Sequence, residues 1–311
     1  MRRTTTLNRR RFLGSGAAAV LTAAASWILG SSCRSTQSDA RSQKKVPVGG
    51  HPWVYAATQP NYDIYPVLDQ IFADMSYAGL DGIELMHTVL RYPGAVERIK
   101  ALSNEHNLPV IGTSFGGAMW DRTQHEAVFG DARLVVTRLA KLGGQTFGTS
   151  VGKAPQTKTA AQLDAQAELL RRIMTLCRDN GVVLNLHNHT YEVEDGMHDL
   201  NGTLARIPEV KLGPDLNWLV RGNVDPVSFI RTFGRQIVFL HLRDQKADGT
   251  WSEAMGEGNM DYVAIGKALR EVKFAGEAVI ELAHERDFKP TRPLRDSFKM
   301  SRAYVKQTLG F

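Results

Sequence analysis

The sequence predicts an α/β protein, a single-domain (β/α)8 barrel of parallel strands that follows a cleavable export segment. Three observations support this fold class. Strand-like and helix-like patterns alternate eight times, about 265 residues follow residue 45, and four strands end in side chains that bind metal ions. A barrel of this type typically takes about 250 residues, so the length fits one such domain.

Residues 1–32 are predicted as a twin-arginine signal peptide. Arg9-Arg10-Arg11-Phe12-Leu13 precedes the mild apolar run Ala17–Leu29. That run has about 13 residues, whereas a membrane-spanning helix needs ~20. The pattern therefore predicts export by the twin-arginine pathway, which places the folded protein in the periplasm.

Cys33 raises the alternative of a membrane anchor that faces the periplasm. Leu29-Gly30-Ser31-Ser32-Cys33 resembles a lipoprotein box in which the leucine stands one position too far from the cysteine, and lipidation there is left open. Residues 33–48 are polar and are predicted as a flexible linker. The barrel is predicted to occupy residues 49–311.

Eight runs rich in β-branched, aliphatic and small residues are predicted as the strands. They are Trp53–Ala57, Gly82–Leu85, Pro109–Thr113, Gln145–Ser150, Val182–Leu186, Val210–Gly213, Ile237–Leu242 and Ala278–Leu282. The main alternative is an open doubly wound sheet, which usually carries a glycine-rich phosphate loop after its first strand. Thr58-Gln59-Pro60-Asn61 follows the first predicted strand and is not such a loop, which favours the barrel.

Helical patterns follow each of the strands. The clearest is Ala160–Asn180, where apolar residues recur at helical spacing and Gly181 supplies a stop signal. Cys177 belongs to this apolar stripe and is predicted to be a buried, inert thiol. The other helices are predicted at Pro66–Ala78, Gly94–Asn107, Ala127–Leu142, Leu200–Arg206, Asp225–Phe233, Tyr262–Glu271 and Leu294–Thr308.

The net charge of +6 belongs to the export segment. The first 45 residues hold nine of the 38 Lys and Arg residues and one of the 32 acidic residues, which leaves 29 basic and 31 acidic residues beyond them. This balance predicts that the barrel does not bind nucleic acid. The two cysteines, Cys33 and Cys177, cannot build a disulfide framework or a zinc-thiolate site.

Four predicted strands end in side chains typical of metal ligands, namely His187-Asn188-His189, Asp215, His241 and Glu281. The carboxyl ends of barrel strands face one mouth, so these side chains should form one site. Carboxylate and imidazole groups suit a hard or borderline divalent cation. Two alternatives stay open: Asp215 as a helix cap or turn residue, and His189 as a residue that holds its loop by hydrogen bonding.

The chain resembles the xylose isomerase-like TIM barrel superfamily of sugar isomerases, epimerases and related lyases over residues 50–311. The resemblance rests on Leu186-His187-Asn188-His189-Thr190-Tyr191-Glu192, Asp215-Leu216-Asn217-Trp218, His241-Leu242-Arg243-Asp244 and Gly256-Glu257-Gly258. It implies one divalent ion (Mn, Zn, Co or Fe) held by Asp215, His241, Glu281 and a Glu after the fifth strand. His187 stands at that last position here. Either His187 is the fourth ligand or Glu192 reaches in, and charge favours Glu192.

The resemblance also implies a small-molecule sugar as substrate. The candidate catalytic groups are His187, His189 and Glu281, since a base must remove a proton beside a carbonyl. Glycines near the third strand would let the substrate approach, and the loop around Glu257 would cover the mouth. The candidate substrate-binding residues are Glu84, His87, Lys153, Trp218 and Arg243.

The predicted function is that of a metal-dependent sugar isomerase or epimerase that works through an enediolate. A lyase or dehydratase acting on a keto-sugar or 3-keto-glycoside is the first alternative, because elimination shares the same first step. An exported sugar-binding barrel without catalysis is the second. An endonuclease with three zinc ions is disfavoured, because Trp218 stands where that class has a histidine. The resemblance also implies a homo-oligomer.

Overall fold

The structure is a computed structural model that describes residues 45–285 and 287–311. The predicted signal peptide at residues 1–32, Cys33 and most of the predicted linker lie outside these described residues. Within them, none of the helices combines the length and the apolar character needed to cross a bilayer.

Eight parallel strands form the barrel predicted from the sequence. Their order in the sheet is β6-β5-β4-β3-β2-β1-β8-β7, and parallel bridges from Leu212 to Ile237 and from Asp215 to His241 join the two ends. The strands are β1 Val48–Gly50, β2 Gly82–Met86, β3 Val110–Gly116, β4 Thr146–Ser150, β5 Val183–Leu186, β6 Lys211–Leu212, β7 Phe239–Leu242 and β8 Glu277–Ile280.

The predicted position of the first strand is wrong. The run predicted as a strand is a short helix, α1 (Trp53–Ala56), and β1 lies five residues earlier. The sequence analysis missed β1 because glycine is depleted in strands and β1 contains Gly49 and Gly50. They are required there, because a Cβ on Gly49 would lie 2.5 Å from a side-chain atom of Ile111. The correction places His51, rather than Thr58, directly after the first strand.

The other helices lie close to their predicted positions, with two exceptions. The structure adds α7 after β6, and α6 begins ten residues before the predicted Leu200 with a non-helical break at Glu194–Met197. The helices are α2 Leu68–Tyr77, α3 Ala95–Glu105, α4 His125–Lys141, α5 Ala160–Asp179, α6 Thr190–Arg206, α7 Leu216–Arg221, α8 Pro226–Phe233, α9 Tyr262–Glu271 and α10 Leu294–Leu309. Cys177 on α5 is buried as predicted, and burial raises its pKa to about 12.

The loop after β7 is fixed by the buried carboxylate of Asp244. One of its oxygens accepts the backbone N–H groups of Gly256 and Gly258, each at 3.0 Å, and the other accepts those of Gln245 and Met260. A Cβ on Gly258 would lie 2.2 Å from this carboxylate, so the loop needs glycine there. The loop predicted to cover the mouth is therefore held in place by four hydrogen bonds.

Asp244→Asn is expected to lower the free energy of unfolding by about 2–4 kcal/mol, because an amide oxygen cannot accept all four N–H groups and its NH2 group opposes two of them. Urea denaturation followed by circular dichroism measures this. Asp248→Asn is the matched control, since Asp248 caps an exposed turn in the same loop. Its effect should stay within about 0.5 kcal/mol. Equal stability of the two variants would contradict the role given to Asp244.

Candidate active site at the barrel mouth

A cavity of about 760 Å³ opens where the carboxyl ends of the strands meet. Its polar lining includes His51, His187, His241, Arg243 and Glu281. These residues come from β1, β5, β7 and β8 or directly follow them. The structure therefore brings these strand-end side chains together at one mouth of the barrel, as the sequence predicts.

Three side chains in the described part of the chain form a group that could hold a metal ion. They are His187, Asp215 and His241, whose ligand atoms lie within 4.8 Å of one another. His187 Nδ1 is buried without a hydrogen-bond partner among the described residues. Burial lowers the pKa of His187 well below its usual value, which keeps the ring neutral as a metal ligand requires. The donor set and the unpartnered nitrogen both fit a divalent cation.

Glu281 lies beside this group. Its Oε2 is 2.8 Å from His241 Nδ1 and 2.6 Å from Arg243 Nη2, and its Oε1 is 3.5 Å from His51 Nδ1. Burial alone would raise the pKa of Glu281, but Arg243 and the two histidines outweigh it and hold the pKa well below its usual range. A carboxylate that stays ionised suits the predicted role of cation ligand better than the predicted role of base.

Glu84 orients His241 from below. The predicted contact of Glu84 with substrate is not what the structure shows, because Glu84 is 1% exposed and does not line the cavity. Its Oε2 lies 2.5 Å from His241 Nε2, which leaves Nδ1 to face the ligand group. Burial alone would lower the pKa of His241, but Glu84 and Glu281 outweigh it and raise the pKa to about 10, so a cation bound by His241 would displace a proton from the ring.

Glu84→Gln is expected to weaken metal binding by roughly 10–100-fold, as is typical when a carboxylate behind a metal-bound histidine is lost. Titration of the metal-stripped protein with Mn²⁺ or Zn²⁺, followed by calorimetry, measures this. Glu97→Gln on the exposed side of α3 serves as the control and should bind like the parent. Unchanged affinity in Glu84→Gln, with an unchanged melting temperature, would show that Glu84 does not orient a ligand.

Asp215 acts as the helix cap that the sequence analysis left open, and it also belongs to the group that could hold a metal ion. Its Oδ1 accepts the backbone N–H groups of Asn217 and Trp218 and so caps α7, which the sequence analysis did not predict. Its Oδ2 accepts a hydrogen bond of 2.7 Å from Arg243. Arg243 is 2% exposed and also contacts Glu281, so it links two of the predicted ligands and lines the cavity beside them.

The geometry favours His187 over Glu192 as the fourth ligand. Glu192 accepts hydrogen bonds from Ser150 Oγ at 2.6 Å and from the N–H groups of Val151 and His189. It occupies the N3 position of α6 and forms a capping box with His189, a spacing that sequence alone could have suggested. Glu192 thus joins the ends of β4 and β5, and it is not part of the group of His187, Asp215 and His241 that could hold a metal ion.

Aromatic rings form one wall of the cavity. His189 stacks on Tyr191 with ring centroids 5.4 Å apart, and its ring lies 5.8 Å from that of Trp218. Trp218 meets Trp251 edge to face at 5.7 Å. All four side chains line the cavity. The His189 ring therefore lines the cavity, and its backbone N–H holds the loop through Glu192.

His87 and Lys153 also line the cavity, as expected for substrate-binding candidates. Burial lowers the pKa of His87 to about 4, so its ring is neutral, and Lys153 is exposed.

Sequence analysis missed His51, whose Nε2 forms a hydrogen bond of 3.0 Å with Ser114 Oγ. His51 could have been predicted as a site residue if the first strand had been placed correctly, because it directly follows β1.

Comparison with known proteins supports this assignment of the fold. A family model for Xylose isomerase-like TIM barrels matches residues 72–304. Inosose dehydratase from Geobacillus kaustophilus (strain HTA426) is 21% identical over 271 residues, which cover 76% of this chain and 86% of that protein.

Two solved structures share the architecture. D-allulose 3-epimerase from Methylomonas sp. has a TM-score of 0.69 at 18% identity, over 86% of this chain and 99% of that one. 3-Keto-D-glucoside 4-epimerase from E. coli has a TM-score of 0.66 at 15% identity, over 85% of this chain and 100% of that one. Such distant likeness shows the fold alone, whereas the family model covers most of the sequence. The chain belongs to the Xylose isomerase-like TIM barrel family.

Proposed function

We propose that the protein is a divalent-metal-dependent sugar isomerase or epimerase. The observation that carries this proposal is the convergence of His187, Asp215 and His241 beside a cavity large enough for a sugar, which His187, His241 and the neighbouring Glu281 line. A Mn²⁺, Zn²⁺, Co²⁺ or Fe²⁺ ion held there would supply Lewis acidity that favours loss of a proton next to a sugar carbonyl. The family and the sugar epimerases that share its fold support the same class.

His189 is the proposed proton carrier. It is the histidine after β5 that the ligand group does not use, and its side chain is 38% exposed in the cavity wall. Its Nδ1 lies 3.5 Å from Glu192 Oε2, so the carboxylate would stabilise the ring once it is protonated. Stacking on Tyr191 fixes the plane of the ring. Return of the proton from His189 to the neighbouring carbon gives isomerisation, whereas epimerisation requires a second group on the opposite face of the sugar to deliver a proton to the original carbon.

The other lining residues would bind the sugar. Trp218 and Trp251 offer aromatic surfaces against which the C–H groups of a sugar ring can pack. Arg243 and His51 place N–H donors at the cavity floor, where sugar oxygens would lie. The signal-like pattern at residues 1–32 supports the further proposal that this reaction takes place outside the cytoplasm.

A dehydratase acting on a keto-sugar is the second candidate, and the match to inosose dehydratase favours it. The first step is the same: a proton leaves the carbon next to the carbonyl. In this case hydroxide then leaves the next carbon, so that one water molecule is lost and a double bond forms.

Incubation with keto-sugars in D2O tests both candidates. A panel of D-allulose, D-fructose, D-tagatose and a 3-keto-glucoside would be followed by mass spectrometry, with and without EDTA. Metal-dependent uptake of deuterium into at least one sugar supports the isomerase or epimerase. Loss of water from the sugar supports the dehydratase. Neither change, with metal bound, would contradict catalysis on this class and favour a sugar-binding protein.

A further inference from the structure

The candidate ligands occupy one half of the mouth. His187, Asp215, His241 and Glu281 belong to the ends of four consecutive strands, β5 to β8. The cavity nevertheless continues over the ends of β1 to β4. Its volume of about 760 Å³ lies in the upper part of the range of about 300–1,000 Å³ that holds drug-sized ligands. A single sugar ring at the ligand group is smaller than such a ligand and would leave this second half unfilled.

Glycines keep the second half open. A Cβ on Gly116, at the end of β3, would meet nothing closer than Ser150 O at 4.0 Å, so the space beside it is free. Gly152 has φ of +82°, and a Cβ there would lie 2.6 Å from Gly117 O. The loops after β3 and β4 therefore pack backbone against backbone. All three glycines line the cavity, and the free space beside Gly116 is room for a ligand.

Aromatic side chains flank this open space. Trp53 and Phe115 line it. Tyr62 stacks on Trp53 with ring centroids 5.5 Å apart and planes inclined by 7°. Tyr62 is 51% exposed and has φ of 56°, a left-handed backbone conformation that tyrosine rarely adopts. Strained residues of this kind often occur at ligand sites, and here the strain places a second ring behind Trp53.

The charges of the lining favour a neutral ligand. Among the described residues that line the cavity, the Lys and Arg side chains are Lys153 and Arg243. Arg243 is bound to Asp215 and Glu281. A phosphate group is usually held by several cationic or N–H donors, whereas a neutral sugar ring needs an aromatic face and a few polar groups.

We propose that Trp53, Phe115, Gly116, Gly117 and Gly152 form a second sugar subsite, and that the substrate is a glycoside of at least two units. The reacting keto-sugar would lie at the ligand group, and the second ring would pack on Trp53. This inference rests on the proposed function for the identity of the reacting ring. The subsite itself can be tested by binding alone.

Binding of unreactive sugars to the whole purified protein tests the subsite. Methyl β-D-glucoside, cellobiose, maltose and lactose would be titrated and followed by calorimetry. At least one disaccharide is expected to bind about tenfold more tightly than the methyl glucoside, as one aromatic contact and its buried area allow. Equal affinity of the methyl glucoside and all three disaccharides would overturn the proposal.

Two variants alter the subsite in opposite ways. Gly116→Leu fills the open space and is expected to abolish the disaccharide preference, while Trp53→Ala removes the wall and is expected to reduce the preference several-fold. Both should bind methyl β-D-glucoside like the parent. Gly130→Leu on α4 and Tyr77→Ala on α2 are the controls, because Gly130 also has open space for a side chain and Tyr77 is 50% exposed. Persistence of the preference in both subsite variants would overturn the proposal.

The failure of the subsite and the failure of the proposed function give different results. Deuterium uptake into a free keto-sugar without any disaccharide preference would leave the function in place and reject the subsite. A disaccharide preference that Gly116→Leu abolishes, without metal or deuterium uptake, would support the subsite and reject the catalytic function.

Discussion

Replacement of His187 by Gln is expected to reduce bound divalent metal from about one ion per chain to a small fraction of that amount. His187 contributes one of the three ligand atoms that lie within 4.8 Å of one another. Its Nδ1 is buried without a hydrogen-bond partner among the described residues, so its replacement removes a donor that nothing else uses. Elemental analysis of the purified variant and parent measures the change, and catalysis should fall with the metal.

Glu192→Gln is the control for this result and also separates the two alternatives left by the sequence. Glu192 caps α6 and joins the ends of β4 and β5, so its replacement should lower the melting temperature and leave the metal content near that of the parent. The opposite outcome, with metal lost in Glu192→Gln and retained in His187→Gln, would show that Glu192 is the ligand.

Replacement of His189 by Gln is expected to lower kcat by about 10²–10⁴-fold, the range typical when a general acid–base group is lost. The ring of His189 faces the cavity, and it is supported by Tyr191 and Glu192. Because His189 is outside the ligand group, metal content should not change. KM should change little, since the proton is transferred in the transition state. Steady-state kinetics on the keto-sugar that shows deuterium uptake measures both constants.

His87→Gln provides the matched comparison for His189→Gln. His87 also lines the cavity and is neutral, with its pKa lowered to about 4 by burial. It belongs to the other half of the mouth, at the end of β2, so its loss should change kcat by less than about tenfold. Equal losses in the two variants would contradict the specific role of His189, and a parental kcat in His189→Gln would exclude it as the proton carrier.

Much of the barrel could be predicted from the sequence because its strands are short apolar runs that end in polar side chains. The ends of β5, β7 and β8 illustrate this: each apolar run stops at or beside His187, His241 or Glu281. Parallel strands in a closed barrel share one mouth, so the convergence of these groups follows from topology.

The features that sequence analysis missed depend on contacts between distant segments. Two of the three residues of β1 are glycines. Glycine is needed there because side chains from β3 and from the loop before β2 lie too close to leave space for a Cβ. In the sequence, Glu84 has the position of a residue at the mouth end of a strand. Its buried contact with His241 depends on the register of the strands in the barrel, which the sequence does not reveal. The use of Glu192 as a cap rather than a ligand depends on where Ser150 ends β4.

Two residues of the aromatic walls, Trp53 and Trp251, were missed for a similar reason. Trp53 was predicted within a strand and Trp251 lies in a long loop after β7, so neither has a periodic pattern that marks it as part of a site. Their positions are fixed by tertiary contacts. Trp251 donates a hydrogen bond of 2.9 Å to Asn217 Oδ1, and Trp53 stacks on Tyr62.

The metal content of the purified parent protein tests the central claim most directly. Elemental analysis is predicted to find about one Mn, Zn, Co or Fe per chain, removable by chelation and restored by adding the ion. Absence of stoichiometric metal, together with a melting temperature that does not rise when these ions are added, would contradict the account and leave a sugar-binding barrel in its place.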